Sequence, residues 1–488
     1  MAQEGVVGLE QPTERPVQML RQKGQRYEAE AGASSEDGGV VVRIIHSSAL
    51  LLRFVLTLVA HQQQQDQNQK SAATHAQILE AFHRTQLVRC LLTALSDHSA
   101  GGDTATASLA VTHAVYVLSE LVLTNGRFLT QFVEGRGLDV LDSLGQSVFA
   151  PRWGSLGAAS GAGVSASLDR EQGQRAEEAE ETLVSALQLA SHLARHSEAH
   201  YQSLALTLPP AKLVVILYRG SPPSSSSSSA SVRASVSRRR TGAVARAKCC
   251  NLIGNLCRHS ARFYPLLSAH VQHPSGEAGG SSASASISTS VVAMLVECLG
   301  DEDASVRKFA AFAIGNAAFH SAALYLHLAD SVLPLSRLLS QSRPQGQQAD
   351  EVEDDKTKAN AAGALGNLVR NGGTLASNLA QQGAMQALIN ASFPPPNLNN
   401  SSALSTARTA LFSLGTAAAY HSCRQALMAC SPSLQDLVAA VRGRPASGDA
   451  KGTSSSSSSS SAAVAADEVM LKYLTRLKGK LHQGPAPE

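Results

Sequence analysis

The chain of 488 residues is poor in aromatic side chains, in net charge and in long apolar runs. Aromatic residues make up 4% of it, with a single tryptophan, so any core must consist mainly of Leu, Ala and Val. A net charge of +3 gives no overall attraction to nucleic acid. No apolar run reaches the roughly 18 residues of a membrane span, and no secretory signal opens the sequence. We therefore expect a cytoplasmic protein with no membrane span and no nucleic-acid partner.

The number and spacing of the cysteines argue against a disulfide framework and a zinc site. The seven cysteines are odd in number, include no Cys-x2-Cys pair and lie mostly in apolar segments. Free cysteine in such surroundings behaves as a small hydrophobic residue. We therefore predict a reducing compartment, no disulfide framework and no zinc site.

Motifs that carry catalysis are also missing from the sequence. There is no phosphate-binding glycine loop, no Gly-x-Ser-x-Gly elbow and no set of protein-kinase motifs. His196 and His200 are four residues apart but lack the His-Glu-x-x-His spacing and a third ligand. The sequence therefore predicts no catalytic residues, no metal site and no cofactor.

A short apolar segment that ends in variants of Leu-Gly-Asn-Leu is repeated along the chain. The four clearest copies are ARAKCCNLIGNLCRH (245–259), VRKFAAFAIGNAAFH (306–320), KTKANAAGALGNLVRN (356–371) and TARTALFSLGTAAAYH (406–421). Their equivalent positions, which we call the markers, are Asn255, Asn316, Asn367 and Thr416, and a fifth copy places His192 there. Self-similarity at a period of tens of residues is typical of solenoids.

The copies have helical spacing and are apolar nearly all round, which is typical of helices buried between neighbours. Each is preceded by a shorter apolar segment and a polar turn, such as the acidic turn Asp301–Asp303. Successive markers from Glu120 onward are 49 to 72 residues apart, whereas an armadillo or HEAT unit takes about 40–47. Low-complexity inserts account for the excess. The predicted fold class is all-α, an armadillo/HEAT-like right-handed superhelical solenoid with disordered inserts.

The predicted domain organisation has four parts. Residues 1–38 form a disordered leader, 39–443 the solenoid, 444–467 a disordered Ser-rich linker, and 468–488 a short basic amphipathic helix and tail. The inserts contain few bulky apolar residues and cannot bury enough surface to offset their ordering entropy. They lie near 61–71, 154–167, 221–240, 273–290, 341–355 and 394–402.

The repeated asparagines admit two roles. Each amide either reads the backbone of a bound peptide or bonds a neighbouring turn and holds the repeats in register, because a buried amide must be satisfied in one of these ways. The second role is favoured, since Thr416 and His192 interrupt the series and no tryptophan accompanies it. Just after the markers, Arg258, His320 and Arg370 add cationic or polar groups that suit a helix C-terminus. They also provide a ridge for an acidic partner.

The blocks VRKFAAFAIGNAAFHS (306–321), DKTKANAAGALGNLVRNG (355–372) and TALFSLGTAAAYHSCRQAL (409–427) resemble the C-terminal armadillo region of the Fused family of serine/threonine kinases. The resemblance covers about residues 245–430. It implies binding to kinesin-like or other coiled-coil partners, with roles at microtubules, cilia, cytokinesis or Hedgehog-type signalling. It also implies a cytoplasmic location associated with the cytoskeleton or a cilium. The chain departs from the family because it lacks the kinase motifs.

Three hypotheses follow from the sequence. The first is a non-catalytic scaffold that binds protein partners. The second is the regulatory C-terminal portion of a full-length Fused-type kinase whose kinase domain is missing from the gene model. The third is an importin-like receptor that reads extended peptides. The sequence does not determine the oligomeric state.

Overall fold

The computed structural model describes residues 69–98, 105–143, 166–218, 229–274, 286–340, 351–395, 400–442 and 458–482. Contacts divide the chain into two compact units, Met1–Leu144 and Gly145–Glu488. The predicted leader 1–38 and residues 154–165 of the predicted insert 154–167 lie outside the described residues.

The first unit contains five described helices. Asn125 begins the fourth of them, because its side chain accepts a hydrogen bond from the Arg127 main-chain N–H and satisfies an otherwise free donor of the first turn. Phe128 and Phe132 of that helix are almost fully buried with Leu118 of the preceding one. The helices are α1 (Gln69–Arg84), α2 (Leu87–His98), α3 (Ala105–Thr124), α4 (Gly126–Glu134) and α5 (Gly137–Ser143).

The second unit contains the marker segments. Its described helices are α6 (Ala166–His196), α7 (Tyr201–Thr207), α8 (Pro210–Leu217), α9 (Ser229–Leu256), α10 (Tyr264–Ser268), α11 (Val291–Cys298), α12 (Ala304–Ala317), α13 (Val332–Ser340), α14 (Glu351–Asn367), α15 (Ala376–Gln381), α16 (Ala384–Ala391), α17 (Ser401–Ala417), α18 (His421–Ala429), α19 (Ser431–Arg442) and α20 (Ser458–His482). Short 3₁₀ segments lie at Glu198–His200, Ala322–Leu324 and Leu326–Ser331. Two strands, β1 (Val271–Pro274) and β2 (Ser286–Thr289), form an antiparallel pair.

These helices form two layers. Helices α6, α9, α12, α14, α17 and α20 pack in sequence order, each against the next, and we call them the ladder layer. Helices α8, α11, α13, α16 and α19 cover them from behind and form the backing layer. Short connecting helices or 3₁₀ segments precede each backing helix. The unit is thus an all-α solenoid of three-helix repeats, as the sequence predicts.

Apolar periodicity and capping explain the ladder helices. In α12, Val306, Ala310 and Ala313 are fully buried, at the spacing of one helical face. Asp303 of the predicted acidic turn begins this helix, since its carboxylate accepts from the N–H groups of Ser305 and Val306 at 2.9 and 3.1 Å. The negative charge also suits the positive end of the helix dipole.

Regular structure extends into several segments that the sequence predicts as disordered. Helix α9 starts at Ser229, α14 at Glu351 and α20 at Ser458. Each extension continues a helix that is anchored by packing, and adding residues to an existing helix costs far less than nucleating one. The insert 273–290 ends in a strand, in which Thr289 pairs with Val271. Both are β-branched, a strand preference that the surrounding serines conceal in the sequence.

The C-terminal helix α20 belongs to the ladder layer, whereas the sequence predicts that the solenoid ends at residue 443. Met470, Leu474 and Leu477 are buried. Tyr473 meets Phe412 of α17 edge to face, with ring centroids 5.3 Å apart. The apolar side of α20 is covered by the preceding repeat.

Candidate partner-binding surface

The marker asparagines bond from each ladder helix to the one before it. The Nδ2 atom of Asn316 donates to the main-chain oxygen of Gly254 at 2.8 Å, and that of Asn367 to Gly315 at 2.9 Å. Asn255 makes the equivalent bond to the hydroxyl of Ser191, at 2.8 Å. In all three cases the acceptor belongs to the residue just before the previous marker. We call this series the amide ladder.

Glycine just before a marker allows the next ladder helix to come close. A Cβ added to Gly254 would overlap the ring of Phe312 and lie 3.2 Å from the Cα of Ala313. At Gly366, an added Cβ would overlap the Ser413 side chain and lie 3.1 Å from its Cα. The Gly-Asn pair is therefore a packing unit, in which Gly admits the neighbouring helix and its carbonyl accepts from the next asparagine.

A second series of bonds comes from tyrosines that no motif in the sequence singles out. Tyr264 Oη donates to the main-chain oxygen of Asn316 at 2.9 Å and accepts from the N–H of His320 at 3.2 Å. Tyr201 joins Asn255 and His259 in the same way, with distances of 2.8 and 3.4 Å. Each hydroxyl thus caps the C-terminus of the ladder helix in the following repeat.

Tyr325 continues this tyrosine ladder. Its hydroxyl donates to the main-chain oxygen of Asn367 at 2.6 Å and accepts from the N–H of Asn371 at 3.0 Å. Burial raises the pKa of Tyr201 to about 12 and also raises the pKa values of Tyr264 and Tyr325. The three tyrosines share one sequence signal, since each lies nine residues after a marker, counted from His192, Asn255 and Asn316.

The side chain four residues after each of the three asparagine markers makes a third link between repeats. His320 Nε2 lies 2.9 Å from the main-chain oxygen of Arg258, and His259 Nε2 lies 2.9 Å from that of Arg195. Because a carbonyl oxygen only accepts, Nε2 carries the proton in both histidines. Asn371 makes the same link through Nδ2, which donates to the Phe319 oxygen at 2.9 Å.

The predicted cationic ridge comprises Arg258, His320 and Arg370. The two arginines lie three residues after their markers and are exposed, as are Arg195 and Phe319 at the equivalent positions, whereas His320 lies four residues after its marker and is half-buried. The guanidinium carbon of Arg370 sits 4.2 Å from the centroid of the Phe319 ring, a cation–π contact between consecutive repeats. Thus the structure brings Arg258, His320 and Arg370 to the same end of the ladder layer, with the His320 ring occupied by a main-chain contact.

The ladders change character after α14. The hydroxyl of Thr416 bonds within its own helix, to the Phe412 oxygen at 3.2 Å, and does not reach α14. Ala376 occupies the place of the next tyrosine, nine residues after Asn367. In the following repeat, Arg424 is buried and donates to the main-chain oxygens of Ala418 and Ala419, both at 3.2 Å. A polar link between α14 and α17 is present instead at Thr406, whose hydroxyl donates to the main-chain oxygen of Asp355 at 2.8 Å.

A buried charge cluster lies near the other end of the ladder helices. Arg246 of α9 binds both carboxylate oxygens of Asp301, with Nη2 2.9 Å from Oδ2 and both side chains less than a tenth exposed. Glu180 of α6 is buried beside Arg246, and its Oε1 has no hydrogen-bond partner among the described residues. Burial raises the pKa of Glu180 to about 7, against the opposing effects of Arg246 and a hydrogen bond from Ala245.

No cofactor-like cluster emerges from the described part of the chain. Within it, no group of three or more His, Cys, Asp and Glu side chains is placed to hold a metal ion. The rings of His196 and His200 lie 6.4 Å apart, tilted relative to each other. Among the same residues, no helix combines the length and apolar character that crossing a bilayer requires.

Comparison with known proteins gives a short sequence match. No family model matches the chain. The serine/threonine-protein kinase TIO of Arabidopsis thaliana is 41% identical over 81 residues, which is 15% of this chain and 6% of the kinase. The matched segment is thus a small part of that relative.

Among solved structures, similar chains include a designed armadillo repeat protein in complex with the peptide (KR)4. It is 17% identical, covers 60% of this chain and 94% of its own length, and has a TM-score of 0.36. An engineered protein covers 93% of this chain and 98% of its own at 14% identity, with a TM-score of 0.35. The fold class rests on the helix stacking described above.

Proposed function

We propose that this protein is a non-catalytic scaffold that binds a protein partner along the ladder layer. The observation that carries this proposal is the continuous packing of six ladder helices, which presents side chains from consecutive repeats on one extended surface. Solenoids use such surfaces for binding. The marker amides and the tyrosine hydroxyls form hydrogen bonds between neighbouring repeats. These polar groups are therefore used for structure and do not line a catalytic site.

The register role of Asn255, Asn316 and Asn367 belongs to this proposal. Their amide nitrogens donate to groups of the preceding repeat at 2.8 to 2.9 Å. An importin-like receptor would instead use these amides to read a peptide backbone. The exposed ridge residues Arg258 and Arg370 are left as contacts for an acidic partner.

A kinesin-like or other coiled-coil protein is the partner class we propose, which would place the scaffold in the cytoplasm at microtubules or a cilium. The Fused-like blocks of the sequence support this class, because the resemblance implies such partners. The short match to the TIO kinase favours a second candidate, in which this chain is the regulatory portion of a Fused-type kinase. Sequencing the transcript upstream of the Met1 codon distinguishes the two, because an in-frame kinase domain would establish the second.

Affinity capture with the full chain tests the scaffold. We expect a kinesin-like motor or a microtubule-associated protein to be enriched from dividing or ciliated cells. A variant with Arg258→Glu and Arg370→Glu should lose that enrichment, since it reverses the ridge. Arg337→Glu, an exposed position on backing helix α13, is the matched control and should retain it. Recovery of no motor and no microtubule-associated protein would contradict the proposal.

A further inference from the structure

In α9, α12, α14 and α17, one side of each helix receives the ladder helix that follows it. The glycine just before the marker lies on this side and is buried in all four helices. A Cβ added to Gly254 would overlap Phe312 of α12, and one added to Gly315 would lie 3.5 Å from the Cα of Ala364 in α14. The residue four positions before each glycine shares this side and is also buried. We call this side of a ladder helix its forward face.

Helix α20 has the register of the other ladder helices. Its buried residues have the spacing of the buried residues of α12 named above; they are Met470, Leu474 and Leu477. In that register, Gly479 and Lys480 take the places of the glycine and the marker. A Cβ added to Gly415 of α17 would be nearest to Arg476, at 3.9 Å, four residues before Lys480. The corresponding contact between α9 and α12 has the same offset, so α17 receives α20 as α9 receives α12.

The forward face of α20 is uncovered in the part of the chain that the structure describes. Gly479 and Thr475 are exposed, whereas the equivalent residues of α9, α12, α14 and α17 are buried. No described atom lies within 4 Å of a Cβ added to Gly479. Leu471, one turn before Thr475, is 40% exposed. A repeat whose outer side meets only water needs a polar outer face, so the exposed leucine and the bare glycine favour a surface that receives a helix.

Lysines on and beside this face determine the charge of its occupant. One of them lies on the forward face and the other two border it on opposite sides, as the helical periodicity places them. We call them the lysine trio: Lys472, Lys478 and Lys480. Among the described residues, none of the three forms an ion pair with a carboxylate. A second copy of α20 on this face would bring like charges together, whereas a helix with acidic flanks would be attracted.

We propose that the forward face of α20 docks an amphipathic helix of a protein partner, with small apolar side chains against Gly479 and carboxylates facing the lysine trio. The contact would repeat the packing that already joins α17 to α20, so the partner would extend the array by one helix. Helix-on-helix recognition of this kind needs an apolar contact line and flanking charges, and the face supplies both. The inference goes beyond the proposed function, because the site does not use the ridge.

Fluorescence anisotropy with the full chain tests the proposal. The probe is a labelled helical peptide of about 20 residues, with alanine and leucine along one side and glutamates on both flanks. A sister peptide has lysines in place of the glutamates. We expect the acidic peptide to bind at least about tenfold more tightly. Gly479→Leu should weaken its binding at least about tenfold, because the new side chain occupies the space that the partner helix needs. Lys472→Glu should weaken it about two- to fivefold.

Three measurements control for indirect effects. Gly372→Leu is the matched variant, since a Cβ added to Gly372 also meets no described atom within 4 Å, and it should bind the acidic peptide as the wild type does. The melting temperature of Gly479→Leu should equal or exceed that of the wild type, because leucine forms helices better than glycine. The double variant Arg258→Glu and Arg370→Glu should also bind the peptide normally, which separates this site from the ridge.

Several outcomes would overturn the inference. They are equal affinity for the two peptides, wild-type affinity of Gly479→Leu, and an equal loss of affinity in Gly372→Leu. Sedimentation velocity of the chain alone adds another, since a dimer that Gly479→Leu abolishes would identify a second copy as the occupant. If the peptide fails while affinity capture still yields a motor protein, the scaffold proposal stands and this inference falls. Peptide binding as expected without any captured partner has the converse meaning.

Discussion

The hydroxyl of Tyr264 and the main-chain oxygen of Asn316 are 52 residues apart in sequence and 2.9 Å apart in the structure. The bond crosses from one repeat to the next and closes the end of α12. Since the same relationship recurs for Tyr201 and Tyr325, the tyrosine ladder is a property of the repeat.

Removing the Tyr264 hydroxyl should weaken the boundary between two repeats. We expect Tyr264→Phe to lower the free energy of unfolding by about 1–2 kcal/mol, since the ring packing stays and one buried hydrogen bond is lost. Tyr473→Phe is the control, because it keeps the ring contact with Phe412 and lies outside the tyrosine ladder. Urea denaturation followed by circular dichroism measures both. An unchanged Tyr264→Phe midpoint would show that the ladder contributes no stability.

Truncating a marker amide separates the register role from peptide reading. Asn316→Ala should destabilise the protein by about 1–3 kcal/mol, since it leaves the Gly254 carbonyl without the amide donor. Thr416→Ala is the control and should have a smaller effect, because the Thr416 hydroxyl bonds only within its own helix. Differential scanning calorimetry reports the loss. If Asn316→Ala abolished binding of an extended basic peptide and left the melting temperature unchanged, that result would support the importin-like hypothesis.

Two glycine-to-alanine substitutions should change the stability of the protein in opposite directions. Gly254→Ala places a methyl group into the ring of Phe312 and should destabilise the protein by about 1–3 kcal/mol through overpacking. Gly363→Ala meets only the Thr409 methyl group, at an ordinary 3.5 Å, and should stabilise α14 by up to about 1 kcal/mol through helix propensity. Melting temperatures of the two variants, measured side by side, check the pair. A shift in the same direction for both would contradict the packing role of Gly254.

Stability should depend on pH through Glu180. Its pKa is raised from 4.5 to about 7 in the folded protein, so between those values the folded state holds more protons than the unfolded state. The contribution of Glu180 to stability is therefore full below about pH 4.5 and is lost as the pH rises through 7. Glu180→Gln should match the wild type near pH 5 and exceed it at pH 8 by about 1–3 kcal/mol.

Melting temperatures between pH 5 and pH 8 measure this effect. Glu177→Gln, on the same helix but exposed, should leave the pH profile unchanged. Parallel profiles for the wild type and Glu180→Gln would mean that the carboxylate is stabilised in the folded protein, for instance by Arg246, as well as it is in water.

Much of the fold follows from local sequence. The apolar periodicity of segments such as 306–320 identifies the ladder helices, and the Asp301–Asp303 turn correctly marks where α12 begins. The repeated Gly-Asn pair is visible in the sequence, but the reason for it is not. Gly254 is needed because Phe312 of another repeat occupies its Cβ position, a fact that only the packed structure supplies.

The polar contacts that join the repeats could not be derived in the same way. Tyr201, Tyr264 and Tyr325 recur nine residues after a marker, yet inserts of unequal length separate each of them from the helix that it caps. Glu180, Arg246 and Asp301 come from three elements, and nothing local indicates that they meet. The ridge positions Arg258 and Arg370 were predicted, whereas the stacking of Arg370 on Phe319 depends on the distance between repeats.

The acceptors of the amide ladder at Gly254 and Gly315 are main-chain carbonyls, a group that every residue type possesses. A duplicated repeat inserted into the array would therefore supply its own asparagine donor. The main-chain carbonyl of the neighbouring repeat would already be able to accept from it. Copy number in such an array can grow or shrink by whole units without compensating substitutions on the accepting side. The length of the ladder layer can therefore change by whole repeats, because each added helix supplies both the donor and the acceptor that the amide ladder needs.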